Sequence, residues 1–162
     1  VVGDTTIKDR LKKGTTIGNK QFKVHLDGYN FLPYFEGEAK EGPRKEFFYF
    51  SDTGDLLNLR YNQWKIVFAE QRAHGFEVWQ EPFVFLRLPK LFNIRSDPFE
   101  RADHEAPGYA DWRARRLYAL VPAQAYVAKF LETFKEFPPR QKPASFSIDQ
   151  VLESLNSGTR SN

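Results

Sequence analysis

Three histidines, His25, His74 and His104, are the side chains in this sequence best suited to moving protons near neutral pH. General-base work needs a partner that fixes the imidazole and a nucleophile within its reach. The three lie far apart along the chain, and no Ser or Asp partner can be assigned to any of them, so a catalytic triad is not expected. There is no cysteine, which removes disulfides, thiolate zinc sites and a cysteine nucleophile. Asp27-Gly28 begins like a calcium loop, but further carboxylates do not follow at the spacing such a loop requires. The pair reads instead as a turn, with Asp27 bonding backbone and Gly28 at positive φ. Asp97-Pro98 followed by Glu100 reads similarly, as a turn whose carboxylates satisfy backbone amides. Lys65, between apolar neighbours, reads as a solvated strand residue. The unusual chemistry is aromatic: 16 Phe, 7 Tyr and 3 Trp make up 16% of the residues. The plainer expectation is an aromatic-packed, sheet-rich core; the sharper one is a stacking surface for sugars or bases.

Charge narrows the partners. The 24 Lys and Arg against 21 Asp and Glu leave a formal charge of +3, and acids are interleaved with bases throughout, as in Lys40-Glu41 and Lys45-Glu46. Without a run of like charge the electrostatic footprint of a nucleic-acid binder is missing, so nucleic acid is not expected as a partner. No apolar run approaches the roughly 20 residues of a membrane span, so no membrane is expected either. The compartment stays open, periplasmic, secreted or cytoplasmic. The sequence begins at Val1 and contains no Met, and the expectation is a chain processed or excised from a longer one.

These residues need elements to hold them. With 162 residues the chain is long enough for one domain with a hydrophobic core. Residues 1–23 are polar with three glycines and read as a flexible lead-in; Val24 to Phe35 reads as an ordered loop. The centre reads as antiparallel sheet: Phe47 to Ser51, a tight turn at Asp52-Thr53-Gly54, then Leu56 to Tyr61 and Trp64 to Ala69, whose apolar residues alternate. Phe76 to Trp79 is expected to add an edge strand, Pro82 opposes a long central one, and Leu91 to Arg95 is the last strand. From about Tyr109 the apolar period becomes helical, through Leu117, Leu120, Val121, Val127, Leu131 and Phe134. Pro122 is expected to break this run, leaving Pro122 to Glu136 as the main helix. Ser147 is expected to cap a last short helix, Ile148 to Leu155, before a disordered tail over 156–162. The fold class expected is α+β: a small antiparallel sheet of about four strands with the main C-terminal helix packed on one face.

Three segments also resemble a known family. HLDGYNFLPYFEGE (His25–Glu38) is similar to the DG-x-D-L-x-P-x-L-x-G loop that follows the sulfatase catalytic core. LNLRYNQWKIVF (Leu57–Phe68) resembles the sulfatase C-terminal strand pair, in which an arginine strand turns into a Trp/Tyr-Lys strand. KLFNIRSDPFERAD (Lys90–Asp103) resembles the closing motif L-Y/F-D/N-L-x-x-D-P-x-E. The three occur in the family's order and spacing, and Phe137 to Leu155 resembles the tail of a bacterial arylsulfatase subgroup. Asn30 departs from the Asp of many relatives, but an amide can still satisfy loop backbone.

The resemblance implies that residues 24–155 are the C-terminal subdomain of a bacterial arylsulfatase, a sulfuric ester hydrolase, with the catalytic N-terminal domain as intramolecular partner. It implies a formylglycine nucleophile, made within C/S-x-P-x-R, and a calcium ion, both in that other domain. Within this chain the nearest approach is Ser96-Asp97-Pro98-Phe99-Glu100, with Glu100 where Arg is required, so no catalytic residue, metal ligand or cofactor is assigned here. The Arg72 to Pro82 loop corresponds to a hairpin that borders the substrate cleft, where His74, Trp79 and Glu81 would touch the organic part of the substrate. By the same resemblance Lys65 would pair with an acid at the interface with the catalytic domain. Alone, the chain is expected to be inactive and to self-associate through apolar surface left without its partner. The alternative is an autonomous carbohydrate- or anion-binding module that uses its aromatic rings.

Overall fold

A computed structural model describes residues 4–138. Helix α1 (Ile7–Lys13) is followed by a hairpin of β1 (Thr15–Ile17) and β2 (Lys20–Phe22), then by a short helix α2 (Leu32–Phe35). A four-stranded antiparallel sheet follows in simple order, β3 (Glu46–Phe50), β4 (Leu56–Tyr61), β5 (Trp64–Glu70) and β6 (Val84–Asn93). Helices α3 (Ala102–Glu105), α4 (Tyr109–Ala114) and α5 (Leu120–Glu136) complete the described chain. The architecture is α+β: one meander sheet with its long helix laid across one face.

Strand alternation explains the two faces. The register sets Phe48, Leu59, Ile66 and Leu91 in one row across the four strands. That row meets α5, whose inward positions Ala123, Tyr126, Val127 and Phe130 recur at helical spacing. Phe130 stacks on Phe48 with centroids 4.2 Å apart, and Tyr126 meets Tyr61 at 4.9 Å. Leu59, only 1% exposed, sits at the centre of this layer. Burying a side chain of that size stabilises the fold by about 1.5–3 kcal/mol. The opposite face carries the rows Phe47, Arg60, Lys65, Phe92 and Tyr49, Asn58, Val67, Lys90. It is the more polar side: Val67 and Phe92 form a second, smaller core with Tyr109, and the charged residues around them hold the chemistry described below.

Several local outcomes differ from the sequence expectation. The polar lead-in carries regular structure: Gly18, at φ +60°, turns the β1–β2 hairpin, and Val24 donates its N–H to the Leu11 carbonyl at 2.9 Å. Within the expected loop from Val24 to Phe35, Pro33 stands in the first turn of α2, where a missing N–H costs nothing. Phe76 to Trp79 is not an edge strand but part of a 3₁₀ turn, Gly75–Trp79, entered through Gly75 at φ +61°. Strand β6 begins at Val84 rather than Leu91 and passes through Pro89. The β5–β6 register shifts between Val67 and Ala69, so Pro89 falls where the ladder is interrupted and its missing donor is not needed. Pro122 does not break the main helix, which starts two residues earlier, at Leu120. As the third helical residue it replaces an N–H that has no intrahelical acceptor. The expected helix from Ile148 and the tail lie outside the described residues.

The free edge of β6 is closed by a side chain. The buried hydroxyl of Tyr109 donates to the Leu91 carbonyl at 3.1 Å and accepts from the Leu91 N–H at 3.2 Å. An exposed strand edge is a template for unwanted pairing, and here one phenol occupies both hydrogen-bonding groups of the central edge residue.

Candidate functional site

The expected cleft-border residues lie on the β5–β6 connection. Trp79 is 82% exposed and Phe76, three positions earlier, 89%; His74 and Glu81 are exposed as well. The loop is held by Gln71, whose amide donates to the Glu81 carbonyl at 2.7 Å while its side-chain oxygen accepts from the Ala73 N–H at 2.9 Å. Among the described residues no hydrogen bond or ion pair joins His74, Trp79 and Glu81 to one another. They share a pre-shaped loop and not a common site.

The histidines that do have partners were not legible as pairs. His25 Nδ1 lies 3.0 Å from Asp27 Oδ1, and His104 Nε2 lies 3.3 Å from Asp103 Oδ2. Among the described residues neither pair is completed by a nucleophile. Thr133, which lines a pocket with His25 and Asp27, has its hydroxyl committed to the Phe130 carbonyl at 2.7 Å. The Asp27 turn also differs from expectation: Gly28 is not at positive φ, and Asp27 bonds His25 while the Gly28 carbonyl accepts from Lys8 at 3.1 Å. Asn30 does satisfy loop backbone, accepting from the Leu32 N–H at 3.1 Å.

The densest chemistry is on the polar sheet face. Asp97 caps the start of α3, accepting from the N–H groups of Arg101 and Ala102 at 3.0 and 2.9 Å, as its turn position implied. Glu100 does something else. At φ +54° it turns back over the sheet and receives the Lys65 ammonium on both oxygens, at 2.7 and 2.8 Å. Lys65 is therefore neither solvated nor waiting for another domain; its acid comes from its own chain, and its side chain is 17% exposed. Next to it Lys90 bridges Glu70 at 2.5 Å and Asp103 at 2.6 Å, and Arg72 supports Glu70 at 2.9 Å.

Burial alone would push the Glu70 carboxyl up, but the hydrogen bonds from Lys90 and Arg72 outweigh it and hold the group below its ordinary range. Burial would likewise push Lys90 down, but its bonds to Asp103 and Glu70 raise it instead. Both shifts favour the charged forms of Glu70 and Lys90. Asn58 Oδ1 and Asp103 Oδ1 border the same pocket, of about 280 Å³, without a protein donor. The arrangement ties strands to the closing turn; among the described residues no group of three His, Asp or Glu is placed to hold a metal ion.

The other half of this face is open. Beyond Lys65 toward β3 lies a groove of about 900 Å³ lined by Phe31, Arg44, Phe47, Tyr49, Arg60 and Arg95 among others. No sequence motif flagged it, because its residues come from four separate segments.

The rings divide clearly. Trp64 and Trp112 pack together at 6.1 Å inside the core layers, and Tyr109 stacks with Phe92 at 5.7 Å. Two of the three Trp are therefore packing, whereas Trp79 faces solvent, as do Phe35, Phe76, Phe99 and Tyr118. No family model matches the chain, and no curated protein matches it either.

Proposed function

We propose that this chain is the C-terminal, non-catalytic part of an arylsulfatase-type sulfuric ester hydrolase, a structural subdomain that completes the catalytic domain. The observation that carries the reading is the Lys65–Glu100 ion pair. It links two of the three segments that carry the resemblance, the Leu57–Phe68 strand pair and the Lys90–Asp103 closing motif. The first is the β4–β5 hairpin, turned by Asn62 at φ +51°; the second is the end of β6 with the Asp97-capped turn that brings Glu100 over the sheet. The lysine of one motif and the acid of the other thus have a joint purpose, to fix the closing turn on the sheet.

In this reading the reacting groups, formylglycine and calcium, belong to the catalytic domain. This chain contributes rigidity, and through the Gln71-stapled loop it presents Trp79 and Phe76 at the substrate entrance, with His74 and Glu81 beside them. Exposed aromatics on a pre-shaped loop suit the aryl part of a substrate, which needs apolar contact and not charge. The core positions of Trp64 and Trp112 leave little ring surface for a module that stacks sugars on several tryptophans.

The test is hydrolysis of 4-nitrophenyl sulfate by the longer protein encoded around this chain, beside the 162-residue chain alone. The longer protein is expected to release 4-nitrophenol and the chain alone to release none. Absence of sulfate-ester hydrolysis across several aryl sulfates by the longer protein would overturn the reading.

A further inference from the structure

The open groove is built for anions. Arg44, Arg60 and Arg95 all line it, and Lys45 at its margin is neutralised by Glu41 at 2.7 Å. Two of the guanidiniums are fixed in place by their inner nitrogen. Arg44 Nε donates to the Glu46 carbonyl at 2.7 Å, and Arg60 Nε donates to the Asn62 carbonyl at 3.0 Å. Arg44 is held further between the rings of Phe47, at 4.8 Å, and Tyr29, at 5.6 Å. In both residues the outer NH₂ groups have no acceptor among the described residues, and the Arg95 guanidinium has none at all among them. A guanidinium anchored through Nε presents a rigid fork that matches the paired oxygens of carboxylate, sulfate or phosphate.

Among the described residues no carboxylate is paired with these three guanidiniums. Glu46 contributes to its lining, but strand alternation places Glu46 in the row of Tyr61 and Trp64, on the helix side, where its charge acts on Tyr126. Glu100 on the polar face is already committed to Lys65. Three cations without a carboxylate partner among the described residues, gathered on one concave surface, make a local positive potential that attracts anions. The size suits a small molecule: about 900 Å³ falls within the range of small-molecule sites. Phe31, Phe47 and Tyr49 give its walls an apolar component that a bare inorganic ion would not use.

We propose that this groove binds a small organic ligand carrying two or more oxyanion groups, with Arg44, Arg60 and Arg95 as its anchors. The proposal rests on the groove alone and holds whether or not the chain belongs to a sulfatase.

The experiment is isothermal titration calorimetry of the 162-residue chain at about 0.15 M salt, where exposed charges are screened beyond about 8 Å. The probes are a disulfated disaccharide, fructose 1,6-bisphosphate, sucrose as the neutral control and sodium sulfate as the bare anion. At least one of the two organic dianions is expected to bind, more tightly than sodium sulfate, and sucrose not at all; which dianion binds more tightly identifies the anion. Arg60→Gln and Arg44→Gln are each expected to weaken binding about tenfold, whereas Arg115→Gln, an exposed cation just after α4, changes it less than about twofold. Circular dichroism of each variant confirms that the fold is retained, and Arg60→Lys, which keeps charge but loses the fork, should fall between. Failure of both organic dianions to bind would overturn the proposal. So would binding that sodium sulfate equals, or that Arg115→Gln weakens as much as Arg60→Gln, since diffuse surface charge would then explain it.

Discussion

Replacing Tyr109 by Phe removes one oxygen and should unlatch the edge of the sheet. The ring itself stays, with its stacking on Phe92 and Trp112 at 5.7 and 6.0 Å, so packing is nearly conserved. What is lost is the pair of hydrogen bonds that occupies the N–H and C=O of Leu91, a residue 2% exposed. A buried backbone group left unsatisfied costs about 1–3 kcal/mol, and a carbonyl tolerates it better than an N–H, so about 2–3 kcal/mol is expected in total. Urea unfolding of a domain this size has a slope of about 1–3 kcal/mol per molar, which converts the loss into a midpoint lowered by about 1 M. The variant should also lose a pH dependence. Burial raises the Tyr109 phenol above its ordinary value, against the opposing effect of its bond to Leu91. A raised folded value means stability that is complete below the unfolded pKa of about 10 and lost as pH rises through the higher folded one. Wild type should therefore show that alkaline loss, and Tyr109→Phe should lack this share of it. A midpoint shift below about 0.2 M would refute the edge-latch argument.

Other consequences follow from the same contacts. Glu100→Gln leaves the Lys65 ammonium without its counter-charge; with the pair only partly buried, a loss of about 1–2 kcal/mol is expected by urea unfolding, smaller in a Lys65→Met background. Equal losses in both backgrounds would mean that the pair is not coupled. Glu70 sits below its ordinary range, so its contribution is present above the unfolded value of about 4.3 and is lost as pH falls through the lower folded one. Lys90 is raised, so its contribution is complete below about 10.4 and lost as pH rises beyond it. A stability plateau is expected between these limits, and Glu70→Gln should flatten its acid side in a pH series of thermal melts. Trp79→Ala, at an exposed position, should change stability by less than about 0.5 kcal/mol while altering selectivity among aryl sulfates in the longer protein. Unchanged selectivity would remove the loop from the substrate entrance.

Much of the sheet was legible because its signals are local. Leu57, Leu59 and Tyr61 alternate, Trp64, Ile66 and Phe68 alternate after a two-residue turn, and one face of that hairpin had to be buried. Gly54, at φ +89°, turns β3 into β4 as Asp52-Thr53-Gly54 suggested. The first half of β6 was hidden because Pro89 argues against a strand unless the partner ladder is already broken, and the register shift opposite it cannot be read from one strand. Phe76 to Trp79 offered two apolar residues in alternation, too few to outweigh Gly75 and the Gln71 staple. Pro122 looks like a helix break in the sequence because the start of α5 has no capping side chain to reveal it. The polar face was illegible for a different reason. Lys65 and Glu100 are 35 positions apart, and Arg44, Arg60 and Arg95 come from different strands and turns. Only the register that aligns Phe47 with Arg60 and Arg60 with Lys65 brings such residues onto one surface.

The proposal that this chain completes an arylsulfatase stands or falls on the reading frame upstream of Val1, which sequencing reads directly. A C/S-x-P-x-R motif is expected there, followed by a few hundred residues of alternating strand and helix pattern leading into this chain. A frame that opens just before Val1, or an upstream domain without that motif, would contradict it.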